Sequence, residues 1–213
     1  MWIMICEADI ISYIMNKSKG ENKKFEGLVV KTNHETAFDS RWSELKIDGK
    51  NIPSRSNHVA AFFDHKIFIH GGYDADKGIL SDFYCLDVAD DAEFFEWKKL
   101  NNNVNGNPIK LKSHSAVTYK TWIIIFGGET SGNYGTNDLL CYDIVENNWK
   151  KVKTADKVDI PKVDSHAVTL CENKMYMFGG YISEKAEYNS NLYCLDLDKM
   201  EWEIVWEGKG TAN

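Results

Sequence analysis

Three stretches of this chain can be written beneath one another: "HVAAFFDHKIFIHGGY" from His58, "HSAVTYKTWIIIFGGE" from His114 and "HAVTLCENKMYMFGGY" from His166. In each, 13 residues separate the histidine from the first of two glycines, Gly71-Gly72, Gly127-Gly128 and Gly179-Gly180. A cysteine follows that glycine by 14, 14 and 15 residues (Cys85, Cys141, Cys194), and a tryptophan follows the cysteine by 12, 8 and 8 (Trp97, Trp149, Trp202). Four marks in one order, three times over, define a duplicated unit. Its period, the spacing of the histidines, is 56 and then 52 residues. That length suits one four-stranded propeller blade.

The second copy divides into "SAVTY", "WIIIFGG", "DLLCYDI" and "NWKKV", separated by turn-forming "KT", "ETSGNYGTN" and "VEN". Short apolar runs between such breaks predict strands. The three prolines, Pro53, Pro108 and Pro161, lie five or six residues before a repeat histidine. Proline lacks an amide donor, so these positions are expected in linkers and outside any ladder. The expected fold is all-β.

The double glycine after four mostly apolar residues, followed by a spaced tryptophan, resembles the kelch repeat. "IFIHGGY", "IIIFGGE" and "MYMFGGY" carry the resemblance, with Trp97, Trp149 and Trp202 at the kelch tryptophan. The kelch tyrosine falls on Tyr142, while Leu86 and Leu195 replace it elsewhere. The openings "SNH", "KSH" and "DSH", with Arg55 before the first, look like the R-x-x-H subtype of Rab-effector and cell-polarity proteins. The resemblance implies a kelch-type β-propeller, and kelch propellers host many functions. Glycine without a Cβ would allow close approach and an unusual φ where the second strand leaves the crowded channel. The outer-strand tryptophan would fill the widening gap between blades.

"RWSELKI" places Trp42 16 residues before His58, against 17 from Trp97 to His114 and from Trp149 to His166. Residues 41–47 therefore read as the outer strand of a blade whose other strands do not precede it. The expected organisation is an N-terminal extension over 1–40, partly disordered or a short helix, then an orphan strand and blades at about 57–100, 113–153 and 165–207, then a tail at 208–213. Three blades fall short of the four to eight of a closed propeller and leave open sheet faces. Two explanations stand: a piece of a longer kelch protein, or an arc completed by another chain or by self-association. Translation from Met15 in place of Met1 would give an ordinary polar N-terminus.

The formal charge of −7 argues against a general nucleic-acid binder, which needs a basic face. The apolar start "MWIMICEADIISYIM" carries Glu7 and Asp9, is short for a membrane span and lacks a signal-peptide pattern, so no membrane insertion is expected. Five cysteines without a C-x-x-C pair suit a reducing compartment. The expected location is cytoplasmic, with cytoskeletal, ciliary or vesicle association open.

No phosphate loop, nucleophile elbow, metalloprotease helix or EF-hand occurs, and "DAD" at 74–76 reads as a loop. The repeat histidines are expected to bond structurally; His70 breaks the pattern where Phe126 and Phe178 stand in the other copies. The three cysteines are expected on third strands as small buried fillers, too far apart to pair. No catalytic residue, metal or cofactor is expected. Binding residues concentrate on loops over rigid scaffolds, here 73–81, 129–137 and 181–190 with the linkers 49–57 and 101–113, all opening on one face. Arg55, Tyr73, Tyr134, Tyr181 and Tyr188 are the expected partner contacts, because aromatics and arginine dominate interface hot spots. The expectation is a non-catalytic interaction scaffold for a protein partner. The alternatives are a ubiquitin-ligase substrate adaptor and a metal- or sugar-processing kelch-like enzyme.

Overall fold

The computed structural model describes residues 47–89, 95–132, 134–155 and 157–208. Among them three antiparallel sheets of four strands follow one another, each with its strands in chain order from inside to outside. The first holds Val59–Phe63, Lys66–His70, Phe83–Asp87 and Trp97–Lys99. The second holds Ser115–Tyr119, Trp122–Phe126, Leu139–Asp143 and Asn148–Val152, and the third Ala167–Cys171, Lys174–Phe178, Leu192–Asp196 and Glu201–Trp206. No helix occurs among the described residues, so none is long and apolar enough to cross a membrane.

The second sheet shows why "WIIIF" has no polar alternation. Ile123 and Ile125 point into one core with Phe68, Phe83, Tyr142 and Trp149, and Ile124 and Phe126 into another with Met175, Met177, Leu195 and Trp202. A sheet covered on both faces needs apolar residues at every position. The neighbouring sheets supply those covers. Each inner hairpin closes in two residues, and the first of them, Asp64, Lys120 or Glu172, takes a φ near +55°. Such turns match the strands' right-handed twist.

Cys85, Cys141 and Cys194 lie on the third strand of their sheets, buried and unpaired with other cysteines. Burial pushes the Cys85 thiol up to about 11 and the Cys141 thiol up to about 12. Cys171 is exposed. Trp149 and Trp202 are buried between sheets, as expected of gap-fillers, whereas Trp97 is half-buried against Tyr84.

Two expectations are corrected. Pro108 lies on a ladder: Asn103–Val104 pairs with Asn107–Pro108 around Asn105-Gly106, both at positive φ. Val104↔Asn107 closes this two-residue hairpin, so the next pair, Asn103↔Pro108, needs no amide from proline. The segments between second and third strands are also less irregular than expected. Tyr73–Asp74 pairs with Gly78–Ile79, and Tyr181–Ile182 with Glu187–Tyr188. "DAD" is the turn of the first ribbon, where Asp74 Oδ1 accepts from the amides of Asp76 and Lys77.

The expected outer strand at 41–47 lies outside the described residues as far as residue 46, Trp42 included. Ile47 forms a parallel bridge with Phe95, and the Asp48 amide donates to Phe95 O at 2.8 Å. Beyond the second sheet's outer strand, Ala155 bridges Glu201 in the same sense and donates to Met200 O at 2.9 Å. Ile47 thus approaches the first sheet as Ala155 approaches the third.

Candidate functional site

The sheets are joined at their inner ends by the glycine pairs and the repeat histidines. Each second glycine lies under the backbone of its own sheet's histidine: a Cβ on Gly72 would fall 2.9 Å from His58 Cβ, and one on Gly180 2.7 Å from His166 Cβ. Each first glycine instead meets the histidine of the following repeat. A Cβ on Gly71 would lie 3.0 Å from His114 Cε1, and one on Gly127 would lie 2.6 Å from His166 Cε1 and 2.7 Å from Val163 O. Positive φ at these glycines turns the chain so that the Gly72 amide donates to Leu111 O and the Gly128 amide to Val163 O, both at 2.9 Å. Nearer the axis, the Ser113 amide donates to Asn57 O at 2.9 Å and the Ser165 amide to Ser113 O at 2.8 Å.

The imidazoles complete these seams. His70 Nδ1 is 2.9 Å from His114 Nε2, and His166 Nε2 is 2.7 Å from Ser115 Oγ. Burial holds all three rings neutral: His70 is lowered to about 3 and His166 to about 4, and His114 lies well below the usual histidine range. For His70 a hydrogen bond from Asn102 opposes burial, and the nearby Arg55 charge adds to it. His70, the pattern-breaking histidine, is thus a seam residue, packed on Phe83 and Trp149 where Phe126 packs on Trp202. Among the described residues no three His, Cys, Asp or Glu side chains come together in a way that could hold a metal ion.

The expected meeting of the two loop sets on one face is present. Ser56 pairs with Tyr73, Lys112 with Glu129 and Asp164 with Tyr181, each through two amide–carbonyl hydrogen bonds of 2.8 to 3.2 Å. Every pair joins the residue after a glycine pair to the residue two before a repeat histidine. The fixed ends of the loops are therefore bolted to the seams.

Tyr134 is 64% exposed, Tyr188 80% and Tyr73 39%. Tyr181 is half-buried, its ring 5.4 Å from that of Tyr188. Arg55 differs from expectation: its side chain is 1% exposed and does not stand on the surface. It donates to Gly71 O at 3.0 Å and Pro53 O at 3.2 Å, lies 3.6 Å from Asp82 and covers the Tyr84 ring at 5.4 Å. It fastens the first linker to the first sheet.

Charged partners of the tyrosines escaped the sequence reading. Lys112 Nζ sits 5.3 Å from the Tyr73 ring centre and 3.0 Å from Glu129, and Lys162 lies 2.6 Å from Glu184. Their signal was present in the register, since Lys112 stands two residues before His114 and Glu129 directly after Gly128. The face thus offers tyrosine rings with flanking ion pairs, which suits a surface that takes up apolar and hydrogen-bonding groups together.

Repeated four-stranded sheets docked glycine against histidine define a repeat protein of the β-propeller type. The chain belongs to the kelch-repeat family: residues 18–212 match the KLHDC2/KLHL20/DRC7 Kelch-repeats domain. Among curated proteins it is 25% identical to acyl-CoA-binding domain-containing protein 5 of Arabidopsis thaliana, over 78% of this chain and 26% of that protein. It is 24% identical to human Kelch domain-containing protein 3, over 78% of this chain and 44% of the relative. Rat host cell factor 1 is 26% identical over 78% of this chain and 10% of its own length. The chain thus spans less than half the length of these relatives. A solved structure titled "Structure of YjhT" shares the fold with a TM-score of 0.58 and 17% identity, over 77% of this chain and 54% of that one.

Proposed function

We propose that this chain is a non-catalytic interaction scaffold that binds a protein partner through the loop face carrying Tyr73, Tyr134, Tyr181 and Tyr188. The observation that carries this reading is the contrast in exposure across one rigid frame. Tyr134 and Tyr188 project 64% and 80% exposed from loops whose ends are hydrogen-bonded to the seams. A large aromatic held out on a fixed base loses little entropy on binding and brings much contact area.

The groups that would serve chemistry have other duties. His70, His114 and His166 hold the seams as buried neutral rings, and the Cys85 and Cys141 thiols are raised by burial, away from the thiolate that reacts. Arg55 belongs to the frame and leaves the contact set. Free thiols at Cys85, Cys141, Cys171 and Cys194 favour work in the reducing cytoplasm.

The test compares what co-purifies with the wild-type chain and with a Tyr73→Ala/Tyr134→Ala/Tyr188→Ala variant. Loss of the same stoichiometric protein from the variant, with retention by Val145→Ala, supports the reading. Val145 is 72% exposed in the turn between third and fourth strands, away from the loop face. Equal capture by all three overturns it.

A further inference from the structure

We propose that the outward face of the third sheet, around Phe178, Gly179 and Gly180, is the docking surface for a further kelch sheet. That sheet enters through a linker ending aliphatic-x-x-His and carries an aromatic ring on its outer strand. The two seams inside the chain are the template, and the third face repeats their near side with no far side present.

Four register points agree. Phe178 is 50% exposed, while its equivalents His70 and Phe126 are 2% and 1% exposed beneath Trp149 and Trp202. Nothing lies within 4 Å of a Cβ placed on Gly179, although φ there is +74°, close to the +61° of Gly71 and +64° of Gly127. The backbone has adopted the turn that elsewhere receives the next histidine. The amides of Gly72 and Gly128 donate to Leu111 O and Val163 O, three residues before a histidine; among the described residues the Gly180 amide has no such acceptor. Asn57 O and Ser113 O accept the amides of Ser113 and Ser165, one residue before a histidine, and Ser165 O accepts none.

These points fix the occupant's chemistry. A carbonyl three residues before its histidine meets the Gly180 amide, and an amide one residue before it meets Ser165 O. The imidazole edge rests on Gly179 and the outer-strand aromatic covers Phe178. Leu111 and Val163, 3% and 0% exposed, show that the residue bearing that carbonyl must be aliphatic. A peptide strand alone would meet the inner points and leave Phe178 bare, so the surface selects a folded sheet.

The probe is a copy of the chain's own residues 154–207, which carry Val163, His166 and Trp202, appended after Glu207 of the 213-residue protein. Hydrogen exchange reads the Gly180 amide and a thiol reagent reads Cys171, which is exposed on this side. The expected result is at least a tenfold slowing of Gly180 exchange in the extended protein. The slowing should be reversed by His→Ala at the appended copy's equivalent of His166, while the appended sheet remains folded by circular dichroism. Unchanged Gly180 exchange overturns the proposal. So does an appended repeat that stays unfolded beside a folded parent. Concentration-dependent protection of Gly180 in the unextended protein also overturns it, because the face would then belong to a second copy.

Discussion

His70 Nδ1 lies 2.9 Å from His114 Nε2, and the two rings, buried and at 87° to each other, join the first sheet to the second. Neither can carry a charge without stripping water from it in an apolar seam. The folded state therefore binds fewer protons than the unfolded chain, in which each histidine titrates near its ordinary value. Stability contributed this way is fully present above about pH 6.5 and is lost as pH falls toward the lowered folded values, about 3 for His70 and about 4 for His166. Each such histidine adds about 1.4 kcal/mol per pH unit to the slope. Chemical denaturation between pH 7.5 and 4.5 should show a plateau and then a fall. His70→Phe, which installs the residue of the other repeats, should reduce that slope by about one proton. An unchanged slope would place the titration elsewhere.

Gly127 and Gly179 share a positive φ and differ in what stands over them. An alanine in the left-handed region costs about 1–2 kcal/mol on its own. At Gly127 the added methyl also meets His166 and Val163 O, so overpacking adds about 1–3 kcal/mol. Gly127→Ala should lower the urea midpoint by clearly more than Gly179→Ala, with the m-value unchanged in both. Equal losses would mean that the seam contact contributes nothing.

Trp149 is buried among His70, Phe83 and Tyr142 and donates from its indole N–H to Asn101 O at 3.1 Å. Trp149→Ala should cost about 3–5 kcal/mol. Trp97, half-buried at the equivalent position of the first sheet, should cost less than half of that. Equilibrium unfolding of the two variants tests the ranking.

Thiol modification of the native protein followed by peptide mapping should label Cys171 first. Cys85, Cys141 and Cys194 should react only at the rate of unfolding, since burial both shields them and raises their thiol pKa. Fast labelling of Cys141 would contradict the packing of the second sheet.

Much of this arrangement is legible in the residues. The spacing from His58, His114 and His166 to their glycine pairs, and from these to Cys85, Cys141 and Cys194, locates three sheets and their third strands. Loops on both sides of each glycine pair share a face because one linkage, such as Ser56 with Tyr73, fixes both. What the sequence conceals is contact between repeats. His114 stands 13 residues before its own glycines, but its ring edge rests on Gly71 of the previous repeat, a relation no local pattern encodes. Arg55 looked like a surface contact because its partners, Gly71 and Asp82, lie 16 and 27 residues on. Pro108 entered a ladder because only hairpin register decides which residue needs an amide.

The tyrosine face is tested by hydrogen exchange on the protein with its captured partner bound. Protection should be concentrated at residues 73–81, 129–137 and 181–190, with none at the opposite turns 63–66, 119–122 and 143–147. Protection at the turns with free exchange in the loops would mean that the partner binds the other end of the sheets and that the tyrosines are not its site.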